Sequence, residues 1–293
     1  MPTLQDQIIL VTGATSGIGE VTARELAKQG AHVILLARSQ AKAEKTQQAI
    51  KAAAGHDKVD IVLADLANLG QVRAAATEIH SRYPRLDVLV NNAGLMFGKQ
   101  RETSADGFEM TLATNHLGPF LLTSLLFDSL RQSPAARIVN VASEAHKFAK
   151  PDLHDLNAEH GYSAARMYGN TKLYNIMFTQ ELARRLRSQG ISNITTNCLH
   201  PGFVATSFGS QSGGILTLLT QLLRPIMISK EQGAETSIYL ASSTNIKDIS
   251  GGYFEKKEAK AVKHPFNTLE NAEALWQETE RLAGQNFLDE PVK

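Results

Sequence analysis

Tyr168 and Lys172 stand four residues apart in Tyr168-Gly-Asn-Thr-Lys172. On a helix that spacing projects both side chains from one face, where a phenol and an ammonium can share a cleft. A free tyrosine loses its proton near pH 10, roughly, and is a poor base at neutral pH. A lysine cation beside it favours the phenolate, so the pair is expected to draw the tyrosine toward the working range. In the opposite direction the neutral phenol gives its proton to an oxygen that is gaining negative charge. The pair alone is common in helices, where tyrosine packs and lysine is solvated, so its surroundings decide.

A second candidate lies at the amino end. Residues 12–19 read TGATSGIG, with Thr15, Ser16 and Ile18 between and beside Gly13, Gly17 and Gly19. Glycine lets the backbone approach a pyrophosphate closely, and a helix amino terminus supplies N–H donors and a favourable dipole. An apolar strand precedes the turn and a helical pattern follows it, which is the context a dinucleotide site needs. The next strand ends Leu36-Ala37-Arg38. An acid there would bind a ribose 2′-hydroxyl and repel a 2′-phosphate; Ala37 stands in its place and the Arg38 guanidinium suits a phosphate. NADP(H) is the expected dinucleotide. Lys42 either reaches the same phosphate or is a solvated helical lysine, and Ser16 supplies no second cation.

These groups need a scaffold. Apolar, β-rich runs recur at 8–11, 33–36, 59–63, 87–90, 137–141 and 195–198, separated by segments long enough for helices. Such runs suit strands buried on both faces, and right-handed crossovers gather their carboxyl ends along one edge, where ligands bind. The expected fold class is α/β: a doubly wound parallel sheet flanked by helices. Residues 268–283, with Leu275 and Trp276 as apolar anchors, add a C-terminal helix.

The TGxxxGxG spacing resembles that of the short-chain dehydrogenase/reductase family, which implies a Rossmann-like sheet. Further motifs match in order across most of the chain. Asp65-Leu66 is similar to the family's adenine-contacting pair, although Asp65 equally suits a helix cap. Asn91-Asn92-Ala93-Gly94 matches the NNAG element beside the cofactor, its asparagine amides able to hold neighbouring strands together. The resemblance makes Asn115, Ser143, Tyr168 and Lys172 the catalytic tetrad. Ser143 would hydrogen-bond the substrate oxygen, and Asn115 would hold a water against the lysine. Tyr168 and Lys172 also contact cofactor, and after Pro201-Gly202 the family places nicotinamide contacts, here Val204 and Thr206.

The 24 residues 144–167 between Ser143 and Tyr168 form a long insertion expected to lie over the active-site edge and shape the substrate pocket. With the YGNTKLYNIMFTQEL helix and the tail around Trp276, it resembles the retinol dehydrogenase-like branch, which implies bulky apolar aldehydes, ketones or alcohols. Animal members of that branch often carry an amino-terminal membrane segment that is not seen before Ile8, an expectation against retinoid itself. The stretch 203–230, with its apolar run 215–228, is a candidate lid, or else a packed helix or an interface.

Composition narrows the remaining classes. Charged residues are 20% of 293, apolar ones 43%, and the net charge is +1, so nothing asks for nucleic acid or an anionic surface. One cysteine, Cys198, excludes an intrachain disulfide and fits a reducing compartment. The run 215–228 holds Arg224 and Pro225 and falls short of the roughly 20 residues that span a bilayer. The expectation is one cytoplasmic domain over residues 1–293, without a transmembrane anchor or metal, acting on a small carbonyl or alcohol. It would be a monomer or, as the family resemblance implies, a homodimer paired through helices near 107–131 and 163–188. Histidines 116, 146 and 200 lack metal-site spacing and are expected to be structural or to wall the substrate. Two alternatives stand: a non-catalytic dinucleotide-binding sensor, and a carbon–carbon double-bond reductase resembling protochlorophyllide reductase.

Overall fold

The computed structural model describes residues 3–204 and 228–288. Thr206 and most of segment 203–230 lie outside them. Strands β1 (Ile8–Thr12), β2 (His32–Ala37), β3 (Val59–Leu63), β4 (Val88–Asn91), β5 (Ala136–Val141), β6 (Ile194–His200), β7 (Tyr253–Glu255) and β8 (Glu258–Lys260) form one sheet. The order is β3-β2-β1-β4-β5-β6-β7-β8, with every pair parallel except β7 and β8. Chain direction across the sheet reverses between β1 and β4, which opens a crevice at their carboxyl ends.

The six expected strands are all present. Alternation along each strand sends side chains to two cores. Ile9, Val11, Leu35 and Val139 pack with Leu26 of α1 (Gly17–Lys28), Ile50 of α2 (Gln40–Ala54) and Leu240 of α8 (Lys230–Ser242). Leu10, Leu36, Leu89 and Ile138 pack with Val72 of α3 (Leu69–Arg82), and with helices that follow β4 and β5. The β7–β8 hairpin was not anticipated. Its strands have three residues each, and its turn puts Lys256 and Lys257 at φ 51° and 68°. Asparagine or glycine usually marks that left-handed turn; two lysines give no such signal.

After β4 the helix is broken into α4 (Met110–Leu112), a wide turn Ala113–Leu117, α5 (Gly118–Leu125) and α6 (Phe127–Arg131). Pro119 has no N–H for the Asn115 carbonyl four residues back, so an α ladder cannot continue there. The turn widens to π geometry, and the Gly118 N–H reaches the Ala113 carbonyl. Helix α7 (Ala164–Ser188) starts at a Ser163 cap, whose side chain accepts the Arg166 N–H, and carries Tyr168 and Lys172 in its first three turns. Helix α9 (Leu269–Ala283) is the expected C-terminal helix. Trp276 stacks on Phe178 of α7 and meets Phe120 of α5 edge-on, while the Arg185 guanidinium lies 4.5 Å from its ring. The two long helices that the resemblance assigns to pairing are thus partly covered by the chain itself.

Candidate active site

Four strand ends deliver the site. Beyond β1, Gly13 adopts φ 64° and Gly17 φ 57°. A Cβ on Gly13 would stand 3.0 Å from Ala93 Cα, and one on Gly19 would stand 2.4 Å from both the Gly13 oxygen and the Asn92 amide nitrogen. The glycines are therefore required by close backbone approach between the β1 and β4 ends. Ser16 occupies the cap position of α1 with no side-chain cap bond, whereas Ser39, Asn68, Ser163 and Ser229 all cap their helices. A shallow glycine cradle and backbone donors not used by a cap fit a dinucleotide pyrophosphate.

Thr12, not singled out from the sequence, joins these two strand ends. Its hydroxyl accepts the Asn92 and Ala93 N–H groups, each at 3.0 Å, and donates to the Val90 carbonyl at 3.4 Å. The Asn92 amide donates to the Thr12 carbonyl at 2.8 Å, and that of Asn91 donates to Asn140 Oδ1 of β5 at 2.9 Å. The asparagine amides hold neighbouring strands together as expected.

At the β2 end, Arg38 Nη1 lies 3.7 Å from Asp65 Oδ2, with the guanidinium largely exposed. Asp65 Oδ1 accepts the Ala67 N–H, so it makes a local turn bond, while the cap of α3 is Asn68. Leu66 is buried, its Cβ and carbonyl against Gly118. Lys42 is exposed on the first turn of α2, and Thr15 lies half-buried in the glycine turn. Ile18 and Val204 meet at Gly233 of α8, where a Cβ would lie 2.5 Å from Val204 and 3.3 Å from Ile18. Gly202 has φ 92° beside Ile228, so the Pro201-Gly202 turn folds onto the start of α8.

Tyr168, Lys172, Ser143 and Asn115 are brought together. The Ser143 side chain favours ionisation of the Tyr168 phenol, and Lys172 Nζ lies 5.5 Å from the phenol ring centre. Lys172 is 3% exposed, donates to the Val141 carbonyl at 3.0 Å, and sits with the Asn115 amide against Gly94, where a Cβ would be 2.9 Å from Nζ and 3.5 Å from Asn115 Oδ1. Burial lowers the lysine to about 8. Burial also pushes Tyr168 up to about 12, with the Ser143 side chain pulling the other way. Loss of hydration around the buried phenol is the largest cause of that rise. Asn115 accepts the Leu95 N–H at 2.8 Å and donates to the Leu95 carbonyl at 2.9 Å and to Thr171 Oγ1 at 3.1 Å. Among the described residues those bonds fix Leu95 and α7, and none goes to Lys172.

The insertion begins as a 3-10 turn, Glu144–Phe148, capped by Ser143. A Cβ on Gly169 would stand 2.9 Å from the Ala145 oxygen, so the glycine inside the Tyr/Lys motif admits this turn against α7. Asn170 accepts the Lys150 N–H at 2.8 Å. The remainder docks on the loop after β4: Asn157 Oδ1 accepts the Glu109 N–H and Tyr162 donates to the Gly98 carbonyl. Phe148 is left 81% exposed and Phe203 68% exposed.

A parallel sheet with a glycine cradle at its switch point and a serine, tyrosine and lysine at the same edge defines a dinucleotide-dependent oxidoreductase. The chain belongs to the short chain dehydrogenase family, whose sequence profile matches residues 7–213. Within it the chain falls in the retinol dehydrogenase-like branch. It is 38% identical to retinol dehydrogenase 12 of Homo sapiens over 281 residues, covering 96% of this chain and 87% of that protein. It is 39% identical to retinol dehydrogenase 14 of Mus musculus over 299 residues, covering 96% and 87%. Among solved structures, an uncharacterized protein from Mycobacterium paratuberculosis superimposes with TM-score 0.78 and 31% identity, covering 100% of this chain and 97% of that one. A short chain dehydrogenase from Escherichia coli CFT073, solved with NADPH, gives TM-score 0.68 and 25% identity over 87% and 98%. Among the described residues no helix is long and apolar enough to cross a membrane.

Proposed function

We propose that this chain interconverts a bulky apolar carbonyl compound and its alcohol with NADP(H), using Tyr168 as the general acid and base. The observation that carries the reading is the convergence of Tyr168 and Lys172, Nζ 5.5 Å from the phenol ring centre, with Gly94 and Asn115 at the strand edge that Ser143 follows. Gly13, Gly19, Asn92 and Ala93 would hold the pyrophosphate side of the cofactor, and Arg38 the 2′-phosphate. NADPH, when bound, supplies the hydride. Ser143 then hydrogen-bonds the substrate oxygen, and Tyr168 gives its proton to that oxygen as charge develops. In the reductive direction the neutral phenol is the proton donor, and in the oxidative direction the phenolate is the base. Lys172 places positive charge beside the phenol and favours the phenolate left behind.

Arg38 next to Ala37, and relatives solved with NADP and NADPH, support the choice of dinucleotide. The names of the retinol dehydrogenase relatives, together with exposed Phe148 and Phe203, support an apolar substrate. Cys198 is buried and its thiol is pushed up to about 12, which offers no support for a cysteine-assisted double-bond reductase. The deciding experiment is an NADPH-oxidation screen over bulky aldehydes and ketones, with Tyr168→Phe as control and product analysis. The expected result is alcohol formation that fails in the mutant. Equal turnover by Tyr168→Phe sinks the mechanism, NADPH binding without reduction of any carbonyl favours a sensor, and a saturated C=C product favours the other reductase class.

A further inference from the structure

The peptide joining Ser143 to Glu144 is gripped on both sides by buried histidines. His146 Nδ1 lies 2.7 Å from the Ser143 carbonyl, and the Glu144 N–H points at His200 Nδ1 at 3.2 Å. A carbonyl only accepts and an N–H only donates, so the two rings have opposite tautomers: His146 carries its proton on Nδ1, and His200 keeps Nδ1 bare with its proton on Nε2. Each ring is itself fixed. His146 meets Tyr253 of β7 edge-on at 5.3 Å, and His200 ends β6 in register with Glu255 and faces Phe203.

We infer that His146 and His200 are positioning residues that orient the Ser143 hydroxyl by clamping the following peptide, and that the clamp opens when His200 takes a second proton. This rests on the proposed reading of Ser143 as the group that meets the substrate oxygen. Protonated His146 still donates from Nδ1, so its titration leaves the clamp intact. Protonated His200 has no lone pair for the Glu144 N–H and faces it with a second N–H. The charges around His200 are Glu144 and Lys147 on the turn, Glu255 on β7, and His146. The carboxylates favour the imidazolium, whereas burial, Lys147 and His146 oppose it, and the balance holds both histidines below the ordinary imidazole range. The clamp is therefore closed at neutral pH and opens on the acid side.

The test is NMR of the full chain with ring-15N-labelled histidine, together with kcat against pH. The expected spectra show His146 protonated at Nδ1 and His200 at Nε2, and a Glu144 amide shift that follows the titration of His200. The kcat profile is expected to carry an acid limb at that same midpoint. His200→Leu removes the acceptor and is expected to lower kcat about 10-fold or more while the KM for NADPH stays put, since small misplacements of a reacting group are costly. His200→Asn offers a carboxamide oxygen that does not titrate, so it is expected to restore most of kcat and to abolish the acid limb. If His200→Leu fails to fold, the Asn variant and the wild-type spectra carry the test. A His200 ring protonated at Nδ1, wild-type kcat in His200→Leu, or an unchanged acid limb in His200→Asn overturns the clamp. The tautomers need no turnover, so an inactive wild type counts against the reductase reading and leaves the clamp to be judged by the spectra.

Discussion

Lys172 donates to the carbonyl of Val141 at 3.0 Å, and Val141 is the last residue of the strand that delivers Ser143. The same carbonyl lies 3.5 Å from the Asn175 amide, one turn further along α7. A single main-chain oxygen thus ties the helix bearing the phenol and ammonium to the strand bearing the serine.

This arrangement carries a stability cost. The folded pKa of Lys172, about 8, lies below the ordinary 10.5, so burial disfavours the charged form. Below about 8 both folded and unfolded chains are protonated and the whole burial cost is present. Between 8 and 10.5 the unfolded chain binds the proton that the folded chain has lost, so this group's contribution to stability rises with pH across that window. Lys172→Met is expected to raise unfolding stability at pH 7 by about 1–2 kcal/mol while abolishing turnover. Urea denaturation checks this, and an equal or lower midpoint would contradict it.

Gly94 sits against the ammonium without a left-handed φ, so alanine is tolerated by its backbone. The added Cβ must displace Lys172 Nζ, the yielding end of a flexible side chain. Gly94→Ala is expected to lower kcat by about 10- to 100-fold with the melting temperature nearly unchanged. A large fall in melting temperature, or wild-type kcat, would count against this placement.

Arg38 separates the two dinucleotides through charge. Its exposed contact with Asp65 contributes little to folding, so Arg38→Ala is expected to change stability by less than about 0.5 kcal/mol. The KM for NADPH is expected to rise about 10- to 100-fold, with that for NADH far less affected, because a charge-assisted phosphate contact is lost. Parallel kinetics with both cofactors decide the matter; an equal effect on both removes Arg38 as the selector.

Trp276 is 2% exposed and is enclosed by Phe120, Phe178, Phe287 and Arg185. Trp276→Ala is expected to cost about 3–5 kcal/mol by chemical denaturation, since a large buried ring leaves a cavity that these rings cannot fill. A loss below about 1 kcal/mol would mean that α9 adds little to the core.

Much of this molecule is written locally in its chain. Apolar runs at 8–11, 33–36 and 137–141 need only their own side chains to announce strands, and TGATSGIG carries its turn in its glycines. The Tyr168/Lys172 spacing places both groups on one face of any helix, and Leu275 and Trp276 mark the inner face of α9. The hairpin at 253–260 was invisible because two lysines take the place of the usual turn residues. The 3-10 turn after Ser143, admitted by Gly169, depends on a neighbour that the motif does not name.

Only the assembled fold placed the atoms that matter most around the phenol. The Val141 and Leu95 carbonyls are main-chain groups, present at every residue, so no residue type advertises that they bind Lys172 and Asn115. The width of the turn at Asn115 follows from Pro119, but which bonds the amide then makes depends on Leu95 and Thr171 arriving from elsewhere. The ionisation of Tyr168 likewise belongs to its surroundings: spacing puts the lysine near, whereas desolvation by side chains distant in sequence decides which way the proton is held.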